Sequence, residues 1–255
     1  MKNKYILLTL CIFGCFLGIT SFAYMQSNST GKLKLTVDSS KKIYKLGEVI
    51  NLSFNLKNEG SETVFLLDIF GTGSGYLNID ISQNGEDYKR FQHPRWGKLD
   101  SCCSKITLEP NKSSEASGKI SWIWVKQNVP GYTFSNPGIY YLKASYTTMI
   151  DGKKDRLFLE SEPIQITIEE PTGEDLEVWN KIKDNGDFAY FIQEGSYRIP
   201  NYKPEERAKF QQEIENIINQ YPNSFYAQSL QQSLDKFKAR EEKRKADKEK
   251  MVKPQ

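Results

Sequence analysis

Apolar residues along this chain follow two periods, and the change falls at Glu169–Pro171. Before it they alternate with polar ones, as in Lys32-Leu33-Lys34-Leu35-Thr36-Val37 and Pro163-Ile164-Gln165-Ile166-Thr167-Ile168. A period of two places every second side chain on one face, which is a half-buried strand. After it they recur at helical spacing, as in Phe210, Ile214, Ile217, Ile218 and Tyr221. The pattern therefore predicts an all-β module over 31–169 and an α-helical module over 171–240.

Within the β module, Val49 to Leu56 predicts a strand with Ile50, Leu52, Phe54 and Leu56 on one face. Asn58-Glu59-Gly60-Ser61 is a turn cluster before a strand over 63–67. A strand over 76–81 is closed by Asn84-Gly85, a strong hairpin signal. Lys119 to Val125 reads as one long strand, apolar on both sides, with Ile120, Trp122 and Trp124 sharing a face. Strands over 139–146 and 164–168 complete about seven or eight, the pattern of an antiparallel β-sandwich. Gly71-Thr72-Gly73-Ser74-Gly75 lies between strand-like runs without a Gly-Lys-Ser/Thr ending, so it reads as a loop, not a phosphate cradle.

In the helical module, Thr172-Gly173-Glu174-Asp175 reads as a cap with an acidic first turn, followed by Leu176, Trp179 and Ile182 on one helix face. Asn185-Gly186 stops that helix, and a short apolar one over 188–192 ends at Gly195. Pro204-Glu205-Glu206 opens a third helix. Pro222-Asn223-Ser224 ends it and caps a fourth, whose stripe is Tyr226, Leu230, Leu234 and Phe237. Only Glu170 to Gly173 separate the last strand from the first helix, which favours helices docked near one end of the sandwich.

Some segments resemble known families. Tyr44-x-x-Gly47-Glu48-x-Ile50-x-Leu52-x-Phe54-x-Leu56-x-Asn58 resembles the entry strands of bacterial extracytoplasmic immunoglobulin-like domains. Asn136-Pro137-Gly138-Ile139-Tyr140-Tyr141-Leu142-x-Ala144-x-Tyr146 resembles their penultimate strand, and Ser161-Glu162-Pro163-Ile164-x-Ile166 their last. Gly71 to Ser117 does not match. The resemblance implies an immunoglobulin-like sandwich that binds, spaces or stiffens. In it the Tyr140 hydroxyl can bond back to the corner that it follows. Tyr221-Pro222-Asn223-Ser224-x-Tyr226-Ala227-x-x-Leu230 resembles the inter-helix turn of tetratricopeptide-like repeats in exported bacterial proteins. It covers one helical hairpin, and one repeat cannot form a concave groove. A cap packed on the sandwich and an independent peptide-binding unit both remain open.

The start of the chain adds a compartment. Lys2 and Lys4 precede an uncharged apolar run from Tyr5 to Ile19, and Ser21-Phe22-Ala23 offers a cleavage site, so 1–23 reads as a secretory signal peptide with 24–30 as linker. Export to the periplasm or medium is expected. An uncleaved membrane anchor over residues 5–22, or lipidation at Cys15, is the alternative. The overall charge of +3 conceals an asymmetry. Lys236 to Gln255 holds nine Lys/Arg against four Asp/Glu, whereas Tyr24 to Asp235 holds 24 basic against 28 acidic residues. An acidic body has no nucleic-acid footprint. The charged tail over 241–255 reads as a solvated helix end or as a contact for an anionic surface.

Candidate chemistry is sparse. His93 is the single histidine of 255 residues, which removes most imidazole acid–base schemes. Cys102 and Cys103 are adjacent, so free thiols, an intermolecular or redox role and a metal site are the readings; a second ligand pair for zinc is missing. No cofactor and no metal are expected. Asp68, Asp80 and Glu169-Glu170 are carboxylates that a hydrolase could use. Trp122 and Trp124, with Trp96, Tyr132 and Phe134 from neighbouring loops, could form an aromatic platform, and His93, Arg95 and Trp96 share one loop. The expectation is a non-catalytic exported protein that binds or scaffolds a protein or cell-envelope component. The alternatives are a carbohydrate-binding or inhibitor-like module that uses those aromatics, and a carboxylate-dependent hydrolase or accessory enzyme.

Overall fold

A computed structural model describes residues 32–72, 74–91, 105–126, 129–197 and 203–252. The described chain is sheet-rich, with mainly antiparallel sheets followed by a helical region. A three-stranded sheet has the order β1-β3-β8, from β1 (Leu33–Ser39), β3 (Ile50–Asn58) and β8 (Ser113–Ile120). A larger sheet orders β2 (Ile43–Lys45), β13 (Ile164–Glu169), β11 (Gly138–Met149), β5 (Leu77–Ser82) and β6 (Lys89–Arg90). β12 (Arg156–Glu160) also pairs with β11. Two ribbons pair β9 (Trp122–Lys126) with β10 (Val129–Tyr132), and β4 (Val64–Leu66) with β7 (Ile106–Leu108). The one parallel pairing among these is β2 on β13.

The alternation read in the sequence sets which face is inside. On β3, Ile50, Leu52, Phe54 and Leu56 are buried while their neighbours face out or stay half-buried. Each such side chain stabilises the fold by roughly 1.5–3 kcal/mol relative to remaining exposed. The strand ends at Asn58, buried because its Nδ2 donates to Glu62 O at 2.7 Å and Leu108 O at 2.9 Å while its Oδ1 accepts from Gly60 N at 2.9 Å. The turn cluster is therefore pinned to β7 by a polar plug. At the start of β11 the Tyr140 hydroxyl donates to Asn136 O at 2.9 Å, the corner bond that the resemblance implies.

The long strand expected over Lys119–Val125 is corrected to two strands that change partner at Ser121. β8 pairs with β3 up to Ile120, and β9 then pairs with β10. Ser121 is buried with its Oγ donating to Gln193 Oε1 at 2.9 Å, and Thr133 N donates to Ser121 O at 2.9 Å. These bonds hold the switch point. β9 is half of a ribbon rather than a central strand, and its Val125 is exposed. Ahead of Lys119-Ile120, β8 is polar and carried no strand signal; its backbone ladder with β3 defines it.

Four helices follow among the described residues: α1 (Glu174–Ile182), α2 (Gly186–Glu194), α3 (Pro204–Gln220) and α4 (Phe225–Val252). Asn185 does more than end α1, since its Oδ1 accepts from Asp187 N at 3.0 Å and caps α2. Gly195, left-handed at φ 58°, closes α2. One continuous cluster of buried side chains runs from the sheets into all four helices. No helix among the described residues is long and apolar enough to cross a membrane.

Candidate functional site

The helices meet the sheets at a joint built on three short chain segments. The first is the turn Leu46-Gly47-Glu48 between β2 and β3. Glu48 N donates to Lys45 O at 3.1 Å, and Lys45 N donates to Glu48 Oε2 at 3.0 Å. Gly47 sits at φ +71°, and a Cβ there would lie 2.5 Å from the Trp179 ring and 2.8 Å from the Tyr132 ring. Glycine is required both for the backbone conformation and for the close approach of two aromatics. Trp179 of α1 packs edge-on against Tyr132 of β10, with ring centres 4.8 Å apart, and stacks near Tyr226 of α4 at 5.7 Å.

The second segment is the start of α4. The Tyr226 hydroxyl donates to Leu46 O at 2.6 Å, a buried bond spanning 180 residues of sequence. Burial, then the charges of Asp175 and Glu48, push the Tyr226 phenol far above its ordinary value; burial and then Tyr226 do the same to Tyr132. Both hydroxyls are held neutral as donors. Asp175, on the first turn of α1, accepts on Oδ1 from the Ser224 hydroxyl at 2.9 Å and from Phe225 N at 2.7 Å, while Oδ2 pairs with Lys45 Nζ. One carboxylate thus ties β2, α1 and the N-terminus of α4. Burial pushes its carboxyl up, but Lys45, Ser224 and Phe225 N–H outweigh that and hold it below the ordinary carboxylate value. The sequence presents Asp175 as a favourable charge in its own helix; in the fold it caps a different one.

The third segment is the β9–β10 ribbon under α2. A Cβ on Gly186 would lie 2.0 Å from Pro130 O, so the N-terminus of α2 rests on the backbone of β10. Trp122 is fully buried there, 4.8 Å from Tyr190 and 4.9 Å from Trp124, with its indole N–H 3.4 Å from Glu194 Oε1. Tyr132 is buried, with its hydroxyl 3.4 Å from Ile182 O. Phe134 is buried against Tyr140 at 4.8 Å. Trp124 is half-buried against the core. The structure thus brings Trp122, Trp124 and Tyr132 to one neighbourhood and spends the first and last on the joint. His93, Arg95, Trp96, Cys102 and Cys103 lie outside the described residues.

The flagged carboxylates lie apart in role. Asp80 pairs with Arg90 at 3.1 Å and accepts from the Ser145 hydroxyl at 3.1 Å. Asp68 Oδ2 accepts from Met149 N at 3.0 Å. Glu169 and Glu170 are exposed at the seam. Among the described residues no group of three or more His, Cys, Asp or Glu could hold a metal ion. The described residues line several open grooves. One of about 540 Å³ lies between Ser82–Asp87 and Thr133–Tyr140. Another of about 440 Å³ covers the polar face of the smaller sheet at Thr36, Asn55 and Glu115. A third, of about 250 Å³, lies at the joint between Glu48, Lys119, Gln193 and Lys236.

No protein-family model matches the chain, and no curated protein matches it in sequence. Solved structures that are similar in part include a β-glucosidase from Listeria innocua in complex with glucose, at 10% identity over 56% of this chain and TM-score 0.30. This chain spans 17% of that enzyme's length. A CARDB domain from Pyrococcus furiosus in complex with di-metal ions is similar at 14% identity, 56% of this chain, 95% of that one and TM-score 0.29. A sporulation control protein from Bacillus subtilis is similar at 13% identity, 67% of this chain, 58% of that one and TM-score 0.30. Scores this low leave the chain's own geometry as the basis for its function.

Proposed function

We propose that this chain is a non-catalytic, exported binding or scaffolding protein. On this reading an immunoglobulin-like β-sandwich carries a docked helical hairpin, α3–α4, and the partner is a protein or another component of the cell envelope. The observation that carries it is the joint. Asp175, Trp179 and Tyr226 fix the root of α4 to the sheets, and beyond Arg240, whose guanidinium donates to Glu194 O at 2.9 Å, the helix runs on to Val252 with bonds only within itself among the described residues. Those last twelve residues make about 18 Å of helix, charged and mostly exposed as far as Glu249.

The sandwich reading is supported by the two sheets, whose inward side chains share one core, and by the Tyr140 corner bond. Domain limits at 31–169 and 171–240 follow from the period change. The non-catalytic reading is supported by the separate structural partners of Asp68 and Asp80. Export is supported by the charged and apolar pattern of residues 1–23.

Capture from the native envelope fraction tests the reading. The full protein is expected to retain a partner that is lost when the chain is truncated after Arg240. Equal capture by both forms would remove α4 from the role. Mass spectrometry of the exported protein is expected to find Tyr24 first; another start overturns the cleavage site.

A further inference from the structure

Among the described residues β12 is an edge strand, with β1 of the smaller sheet close to it. On one side it pairs with β11, from Ser145 opposite Glu160 to Met149 opposite Arg156, and among the described residues no strand pairs with its other side. An unpaired edge is a template for another strand, and native edges are commonly blunted with charge. β12 places charge only at its ends. Its sequence is Arg156-Leu157-Phe158-Leu159-Glu160, and Phe158 is 51% exposed. β1, the open edge of the smaller sheet, shows Lys34, Thr36 and Asp38 outward and no exposed large apolar residue.

We propose that β12 pairs edge to edge with β12 of a second copy of this chain, antiparallel, about a two-fold axis at Phe158. The register follows from the sequence of the strand. Residues that add to 316 stand opposite each other, so Arg156 of each copy faces Glu160 of the other, Leu157 faces Leu159, and Phe158 faces itself. Directly opposed residues share a face. Arg156, Phe158 and Glu160 form the exposed face of β12, while Leu157 and Leu159 form its half-buried face. The pairing therefore puts two ion pairs and an aromatic pair outside and continues the apolar row inside. A slip by one residue opposes exposed to half-buried positions; a slip by two leaves one charge of each copy unmatched. The contact is isologous and closes on itself. It stands on this edge alone and does not rest on the scaffold reading.

Its length is limited. Ser161-Glu162-Pro163 interrupts the strand on one side, where Pro163 has no N–H to give, and a turn at Asp151-Gly152 lies just before it. Five paired residues bury much less than the roughly 800 Å² per partner of a stable interface, so the association is weak and grows with concentration.

Sedimentation of the full protein from about 10 μM to 1 mM is expected to show its average mass rising toward a dimer. R156E makes the edge acidic at both ends, and E160R makes it basic at both ends. Each variant alone is expected to associate about tenfold more weakly or less, and an equal mixture of the two is expected to regain association. R156E leaves the Lys143–Glu160 pair at 2.8 Å intact, so it separates the edge from any loss of that pair. Hydrogen exchange of the 156–160 amides should slow as the dimer forms. A wild type that stays monomeric overturns the proposal. So do single variants that associate as well as wild type, a mixture that gains nothing, or a mass increase with no slowing at 156–160.

Discussion

The joint and the β12 edge are two places where this chain meets the limit of its own sheets, and it treats them in opposite ways. At the joint the rim is sealed. Trp179, Tyr132 and Tyr226 fill the space over Gly47, and the buried hydroxyls of both tyrosines have partners, Tyr226 on Leu46 O and Tyr132 on Ile182 O. At β12 no described strand pairs with the outer rim, and Phe158 stands half in water between two charges of opposite sign. The difference shows where the sequence invests in its own fold and where it keeps surface available. Burial of large aromatics stabilises the native state, whereas an exposed edge contributes little to it and offers backbone to a neighbour.

Four measurements would break or sharpen that contrast. Trp179→Ala removes the ring that bridges sheet and helices, and a loss of about 3–5 kcal/mol in denaturant unfolding is expected. A loss below about 1 kcal/mol would mean that the joint is not part of the core. Tyr226→Phe keeps the ring and strands Leu46 O; the same unfolding assay should show a cost of about 1–3 kcal/mol.

Acid comes next. Asp175 ionises at lower pH in the folded chain than in the unfolded one, so its contribution is complete above the unfolded pKa of about 4 and is lost as pH falls through the folded value. Stability followed from pH 6 to pH 2 should fall less steeply in Asp175→Asn than in the wild type. An unchanged acid limb would show that the Lys45 and α4 contacts contribute nothing. The smallest effect is expected at the open edge: Phe158→Ser should change the unfolding free energy by no more than about 0.5 kcal/mol. A larger loss would place Phe158 in the fold's own packing and undo the contrast.

Much of this architecture was legible because it depends on period and local chemistry. The inward row of β3, the four helices, the glycine closing α2 and the Tyr140 corner all follow from spacing and from residues that act on near neighbours. The misses lie where pairing across the fold decides. Ser113 to Gly118 of β8 carry no apolar alternation, yet they are strand because β3 offers them a ladder. Trp122 looked like part of a central strand or an aromatic platform, and it became the floor under α2 because Ser121 switches the chain from one sheet to a ribbon. Of the candidate site residues, His93, Arg95, Trp96, Cys102 and Cys103 lie outside the described residues, so the structure places only Trp122, Trp124 and Tyr132. Two signals could have pointed to the joint: Gly47 beside Glu48 in a strand-entry pattern, and a Trp on the first helix after the seam.

By itself the sequence determined the element types, the seam at Glu169–Pro171 and the inward faces, because hydrophobic period and capping act over a few residues. The tertiary structure decided which surfaces meet. Asp175 serves α4 rather than α1, Tyr226 reaches Leu46 across 180 positions, and among the described residues one edge of the larger sheet stays unpaired. Those outcomes depend on the angle at which four helices settle on the sheets, and no local spacing encodes that angle.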